Sequence, residues 1–200
     1  MPLANPELTE FTTASQKIVS YDYVDIANGL GFQNFYLFQS EDTASGVGYG
    51  LTTDTSLKAM PNRLLGTSTE FNFDSSVFNE TRTVKGTAYA NLVGGTNNSS
   101  QSSINLILYK VTVADAEVAL SSSFGMTHAK NGPITYLIQM PLTETLIKKG
   151  EKLRLSLTTV DNSPGATGIG TDPSSQGFSI DASEGYSSDS KIAVPFKIEN

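Results

Sequence analysis

The stretch Thr81-Arg82-Thr83-Val84-Lys85-Gly86-Thr87-Ala88-Tyr89-Ala90-Asn91-Leu92-Val93 decides the fold class. Val84, Gly86, Ala88, Ala90 and Leu92 fall on one side, and Thr83, Lys85, Thr87, Tyr89 and Asn91 on the other. A period of two belongs to a half-buried strand, because successive side chains of an extended chain point to opposite faces. The small residues at 86, 88 and 90 imply close approach of another backbone or a bulky neighbour.

The same pattern extends in both directions. Downstream, Ser103–Val113 is the most apolar strand, and Glu117–Ser122 reads as a short one. Ile134, Tyr136, Ile138 and Met140 alternate with polar positions until Pro141. Leu153, Leu155 and Leu157 alternate with Arg154, Ser156 and Thr158. Ile192, Val194, Phe196 and Ile198 share a face, and Pro195 there predicts an edge strand or a bulge. Upstream, Phe71 and Phe73 alternate, Tyr49–Thr53 is a short strand, and Phe32–Phe38 reads as a central strand, apolar on both faces in its second half. Asn28–Gly31 reads as a turn, and the change of parity between Tyr21 and Val24 predicts a bulge near Tyr23.

Two segments read as helical turns. Thr143-Glu144-Thr145-Leu146-Ile147-Lys148-Lys149-Gly150 has a polar cap, lysines in its last turn and a closing glycine. Leu57–Gly66 is either irregular or one short turn. Strands that do not alternate with helices imply antiparallel pairing. The expectation is an all-β, antiparallel β-sandwich, jelly-roll-like, with one or two short helical turns. Residues 1–12 form an N-terminal arm, with Asn5–Glu10 either one helical turn or an extended tail, and 13–200 a single domain. Asp161–Ser190, rich in Gly, Ser, Asp and Pro, reads as a long loop.

Composition narrows the function. Charged residues are 16% of the chain, against roughly 25% in an average domain, and 24 Ser, 22 Thr, 17 Gly and 13 Asn carry the polarity instead. A net charge of −7 argues against a nucleic-acid groove, which needs clustered Lys and Arg. Absence of cysteine removes disulfides, thiol nucleophiles and thiolate metal sites. No apolar run is long enough for a membrane-spanning helix, and Met1–Pro6 lacks the features of a signal peptide.

Chemistry has few candidates. His128 is the one histidine, no G-x-S-x-G elbow accompanies it, and a surface-loop histidine is the plainer reading. Asp22, Asp25, Glu70 and Asp74 could supply paired carboxylates, but nothing in the sequence sets two of them across a cleft. The expectation is therefore a chain without catalysis and without a cofactor. Calcium is the alternative, through Asp161–Ser163, Thr171–Pro173 and Asp181–Gly185, but none of these matches a twelve-residue calcium loop and solvated loop acids are the favoured reading. Tyr49, Tyr89 and Tyr186 fit either sugar recognition or scaffold contacts.

The order of FTTASQKIVSYDYVDIANGLG (11–31), FQNFYLFQSED (32–42), TRTVKGTAYANL (81–92), INLILYKVTVADAEVALSSS (104–123) and ITYLIQMPLTETLIKKGEKLRLSLTT (134–159) resembles small β-sandwich virion proteins of tailed phages and aquatic viruses. LIKKGEKLRLSL (146–157) is similar to the last core hairpin of jelly-roll domains, including carbohydrate-binding modules. The resemblance carries no catalytic motif. It implies a virion location and a capsid-associated role as decoration, minor capsid or spike component. It also implies a homo-oligomer, a trimer favoured, and the major capsid protein as partner. In that role the arm would order on contact, with Leu3, Leu8 and Phe11 as interface residues. A non-catalytic carbohydrate-binding module, attaching to host-surface glycan, is the alternative.

Overall fold

The computed structural model describes residues 30–42, 46–54, 63–65, 70–96, 102–128, 132–161, 167–169 and 190–198. These form twelve strands and, among the described residues, no helix. They are β1 (Leu30–Asp42), β2 (Gly46–Thr52), β3 (Arg63–Leu65), β4 (Glu70–Ser75), β5 (Arg82–Thr96) and β6 (Ser102–Val111). β7 (Glu117–Ala119), β8 (Phe124–His128), β9 (Gly132–Ile147), β10 (Lys152–Asp161), β11 (Thr167–Ile169) and β12 (Lys191–Lys197) complete the set. The predicted arm at 1–12, with Leu3, Leu8 and Phe11, lies outside the described residues, as do the bulge near Tyr23 and nearly all of the 161–190 segment.

All strands belong to one sheet, ordered β3-β11-β5-β12-β1-β2-β4-β10-β6-β7, with β9 also paired to β5 and β8 to β6. The expected all-β class holds. The expected purely antiparallel pairing does not, because β2 and β4 run parallel where Gly50 meets Asp74 and Leu51 meets Ser75. This two-residue contact joins the two halves of a curled, mixed sheet. The inward residues of both halves share one core. Val84, Ala88, Ala90 and Leu92 of β5 bury with Tyr136, Ile138 and Met140 of β9, and meet Phe71 and Phe73 of β4 and the leucines of β10. The alternation that identified β5 is thus the signature of its core-facing side.

The segment expected to be a helix is strand. Thr143–Ile147 continues β9, and only Lys148–Gly150 turns away. The reason is a bulge. Val84 pairs with Thr145 but Gly86 with Leu142, so two steps on β5 match three on β9. The extra residue reverses the parity of β9: Tyr136, Ile138 and Met140 face inward before it, and Ile147 after it. Apolar residues at 142, 146 and 147 then imitate a helical spacing. Gly86 takes φ 107° on the opposing strand, a left-handed conformation that suits glycine. The Thr143 N–H, freed at the bulge, donates to Leu120 O at 2.8 Å.

Two smaller differences have similar causes. Leu30 and Gly31 belong to β1 rather than to a turn, held by pairing with Lys197 and Phe196. Part of the 57–66 segment, Arg63–Leu65, is strand because β11 pairs with it. For Pro195 the bulge alternative holds and the edge-strand one does not, since β12 is an interior strand between β1 and β5. Pro195 falls where the β12–β5 register breaks between Ala193 and Phe196, so its missing N–H is accommodated at a bulge.

Phe73 is fully buried and takes the edge of the Tyr49 ring at 5.3 Å between centroids. Phe73→Ala should cost about 3–5 kcal/mol in chemical denaturation. Leu137→Ala, at a position 53% exposed on β9, should cost no more than about 0.5 kcal/mol. Equal costs would show that the core does not lie between the two halves of the sheet.

Candidate binding cleft

A cleft of about 400 Å³ opens at one rim of the sheet, beside the parallel junction. β1 contributes Gln33 and Phe35, the end of β2 contributes Leu51, Thr52 and Thr53, and the β4–β5 connection contributes Ser75 to Glu80. Arg82, at the start of β5, closes it. A second hollow of about 370 Å³, lined by Phe32, Phe196 and Ile198 among others, shares Gln33 and Arg82 with the first. Arg82 therefore lines both hollows.

The connection between β4 and β5 is not regular strand, yet it is firmly placed. Ser75 sits where the β4–β10 ladder ends, and its hydroxyl accepts the buried Leu153 N–H at 3.0 Å. Phe78 is tied to the turn after β9: its N–H donates to Glu151 O, and its carbonyl accepts from Gly150 N–H, both at 2.8 Å. That turn is stabilised by its own chemistry. Glu151, 5% exposed, accepts the Lys148 N–H at 2.7 Å, and Lys110 Nζ lies 3.4 Å from the same carboxylate. Gly150 has φ 87°, and a Cβ there would meet Val113 Cγ2 at 3.3 Å.

Arg82 is oriented on two sides. Its Nη1 donates to Gln33 Oε1 at 3.1 Å, and its guanidinium lies 5.8 Å from the centre of the Phe196 ring. Phe78 and Phe196 are also neighbours, 5.8 Å apart. The cleft thus combines an apolar floor, hydroxyl and amide groups, one guanidinium and one carboxylate, Glu80. Such a lining orients a small organic ligand by a few polar contacts while burying its apolar part.

The remaining charges serve the sheet. On the outer face of β4 and β10, Asp74 receives both Arg154 Nε at 2.5 Å and Arg154 Nη2 at 2.7 Å, with Lys152 Nζ 2.7 Å away. Arg154 Nη1 reaches Glu117 on β7 at 2.6 Å. Burial pushes the Asp74 carboxyl up, but hydrogen bonds from Arg154 and Lys152 outweigh it and hold it below the ordinary 3.8. The Asp74 hydrogen bond, against the opposing effect of burial, drives Arg154 still higher than a free guanidinium. On the opposite half, Glu144 bridges Lys197 at 2.9 Å and Lys85 at 3.2 Å, all three side chains being about half exposed. Lys197 first, then Lys85, draws the Glu144 carboxyl down.

The sequence-based candidates are scattered. Glu70 and Asp74 share the outer face of β4, but four strand residues separate them by about 13 Å, beyond glycosidase spacing. Each is also occupied, Glu70 by the Ser156 hydroxyl at 2.9 Å and Asp74 by its cations. Asp22 and Asp25 lie outside the described residues. His128 ends β8 rather than lying in a loop, and its side chain is not among those described. No group of three metal-binding side chains occurs among the described residues, and the suggested calcium segments fall almost wholly outside them. Sequence reasoning missed the cleft, because its pieces come from three separate stretches of sequence.

No protein-family model and no curated protein matches the sequence. Solved structures do match in shape. A CocE/NonD family hydrolase from Staphylococcus aureus aligns at TM-score 0.58, with 11% identity over 84% of this chain and 37% of its own. An α-amino acid ester hydrolase aligns at 0.57, with 10% identity over 82% of this chain and 36% of its own. An aminopeptidase from a marine sediment archaeon, Thaumarchaeota archaeon, aligns at 0.57, with 10% identity over 84% and 37%.

The chain shares its fold with part of these hydrolases. It spans little more than a third of their length. These matches overturn the expectation of a capsid-associated building block, and with it the expectation of a chain that has no part in catalysis. The structure of infectious bursal disease virus Gx strain aligns at a TM-score of only 0.23, too low to bear on the fold. The resemblance to virion proteins arose from strand patterning, which unrelated β-proteins have in common.

Two measurements test this geometry. Gly150→Ala should cost about 1–2 kcal/mol through its left-handed backbone, and should perturb the Phe78 resonances in the cleft. An unchanged Phe78 environment would uncouple the turn from the cleft. For Asp74, the folded value lies below the unfolded one, so its stabilisation is present above the unfolded value and disappears as pH falls through the folded one. Asp74→Asn should therefore be less stable than the parent by about 1 kcal/mol near neutrality. The difference should shrink only below about pH 4, as read by denaturation across a pH series.

Proposed function

We propose that this chain is the β-domain of a hydrolytic enzyme acting on ester or amide bonds, and that its rim cleft binds part of the substrate. The observation behind this reading is the asymmetry of the match: 84% of the chain corresponds to only 37% of a hydrolase chain. A β-domain of this kind presents a rigid binding wall, while the nucleophile and its base come from residues beyond those described. The cleft suits the role. The Gln33 amide, the Arg82 guanidinium and the Thr52 and Thr53 hydroxyls can donate to a carbonyl, beside the apolar surfaces of Phe35 and Phe78. The curled sheet, with two halves closed over one core, is consistent with a jelly-roll derivative whose strand pairing has become continuous through β2 and β4.

The test uses the purified full chain with p-nitrophenyl esters, α-amino acid esters and aminoacyl p-nitroanilides, followed by NMR and by release of chromophore. Saturable binding at about millimolar concentration, mapped to Gln33, Phe78 and Arg82, supports the reading, with or without turnover. Phe78→Ala should weaken that binding about tenfold. No binding and no turnover across the panel overturns the reading.

A further inference from the structure

We propose that the rim cleft is a zwitterion site that takes a free α-amino acid with an apolar side chain, the carboxylate on Arg82 and the ammonium on Glu80. The inference deepens the hydrolase reading and rests on it, since hydrolysis of an α-amino acid ester or of a peptide's first residue releases such a molecule.

The argument begins with the contrast between two arginines. Arg154 is saturated, holding Asp74 through two nitrogens and Glu117 through the third. Arg82 faces the cleft with only one neutral acceptor, Gln33 Oε1, and has no carboxylate partner among the described residues. Gln33 and the Phe196 ring fix the guanidinium plane while leaving the Nε and Nη2 donors without a partner among the described residues. A pre-oriented guanidinium edge with two free donors matches a carboxylate.

Glu80 is the counterpart. Glu70, Asp74, Glu117, Glu144 and Glu151 each engage a hydroxyl, a backbone N–H or a cation. Glu80 lines the same cleft as Arg82 and has no such partner among the described residues. The two charges stand two residues apart without pairing with each other, so the cleft offers one anionic and one cationic contact. A simple anion would meet repulsion at Glu80, and a simple cation at Arg82. A molecule with both charges satisfies both. The side chain then meets half-buried Phe78, which stands over the nearly buried Phe35 and Leu51, and about 400 Å³ accommodates an amino acid of leucine size with water.

The experiment titrates the full chain with L-leucine, N-acetyl-L-leucine and L-leucinamide, read by NMR. Leucine should bind saturably at Gln33, Phe78 and Arg82, and each blocked analogue should bind at least about tenfold more weakly. Arg82→Gln should abolish the preference for leucine over leucinamide, and Arg82→Lys should keep part of it. Glu80→Gln should abolish the preference for leucine over N-acetyl-leucine. Thermal midpoints of all variants report whether folding is retained, and Arg82→Lys carries the test if Arg82→Gln unfolds. Equal binding of the three ligands, or preferences indifferent to both substitutions, overturns the assignment. If esters and anilides bind but leucine does not, the zwitterion site fails and the hydrolase reading stands. If leucine binds with this pattern but esters and anilides do not, the hydrolase reading fails and the site stands.

Discussion

The rim cleft exists because two halves of one sheet must bury their apolar faces in a shared core while touching along only two residues of parallel ladder. Phe73 of β4 and Ala90 of β5 belong to strands far apart in the hydrogen-bonded order, yet lie in one cluster. Non-directional apolar burial draws the halves together, while directional backbone pairing keeps the sheet continuous. Gly50–Leu51 against Asp74–Ser75 is where the two requirements meet. Just beyond that point both strands end, β2 at Thr52 and β4 at Ser75, and the chain leaves the sheet. Leu51, Thr52 and Ser75 consequently form the cleft wall.

Polar groups at this junction replace the ladder bonds that geometry denies. Ser75 takes the Leu153 N–H, Phe78 borrows Gly150 and Glu151, and Asp74 anchors β10 from the outer face. A buried backbone donor without a partner would cost about 1–3 kcal/mol, so each substitute has energetic weight. The same bonds fix the cleft in space. Rigidity of the fold and definition of the site are one property here, which is why a turn as distant in sequence as Lys148–Glu151 bears on Phe78.

Much of the strand content was legible from the sequence. β5, β6, β10 and the first part of β9 alternate cleanly because one side of each faces the core. Legibility failed where parity changed. Thr143–Gly150 carried a polar cap, terminal lysines and a closing glycine, and a bulge in β9 that shifted the inward set by one position hid the strand alternation there. The parallel junction left no pattern, since two residues carry no periodicity. The cleft was invisible for a related reason: Gln33, Thr52, Phe78 and Arg82 are brought together only by the fold, and none sits in a recognisable motif. Strand patterning also misdirected the functional expectation, because alternation reports burial and says nothing of what the buried scaffold displays.

β9 lies at a margin of the sheet, where among the described residues its ladder partner is β5 and its far half also meets Leu120 O and Lys110 Nζ. A long strand at a margin would invite edge-to-edge stacking of copies into fibrils. Pro133 and Pro141 deny two donors to any incoming strand, and the bulge around Glu144 twists the far end and sets a charge on it. The irregularity that disguised this segment as a helix thus also acts as a gatekeeper against amyloid-like self-templating.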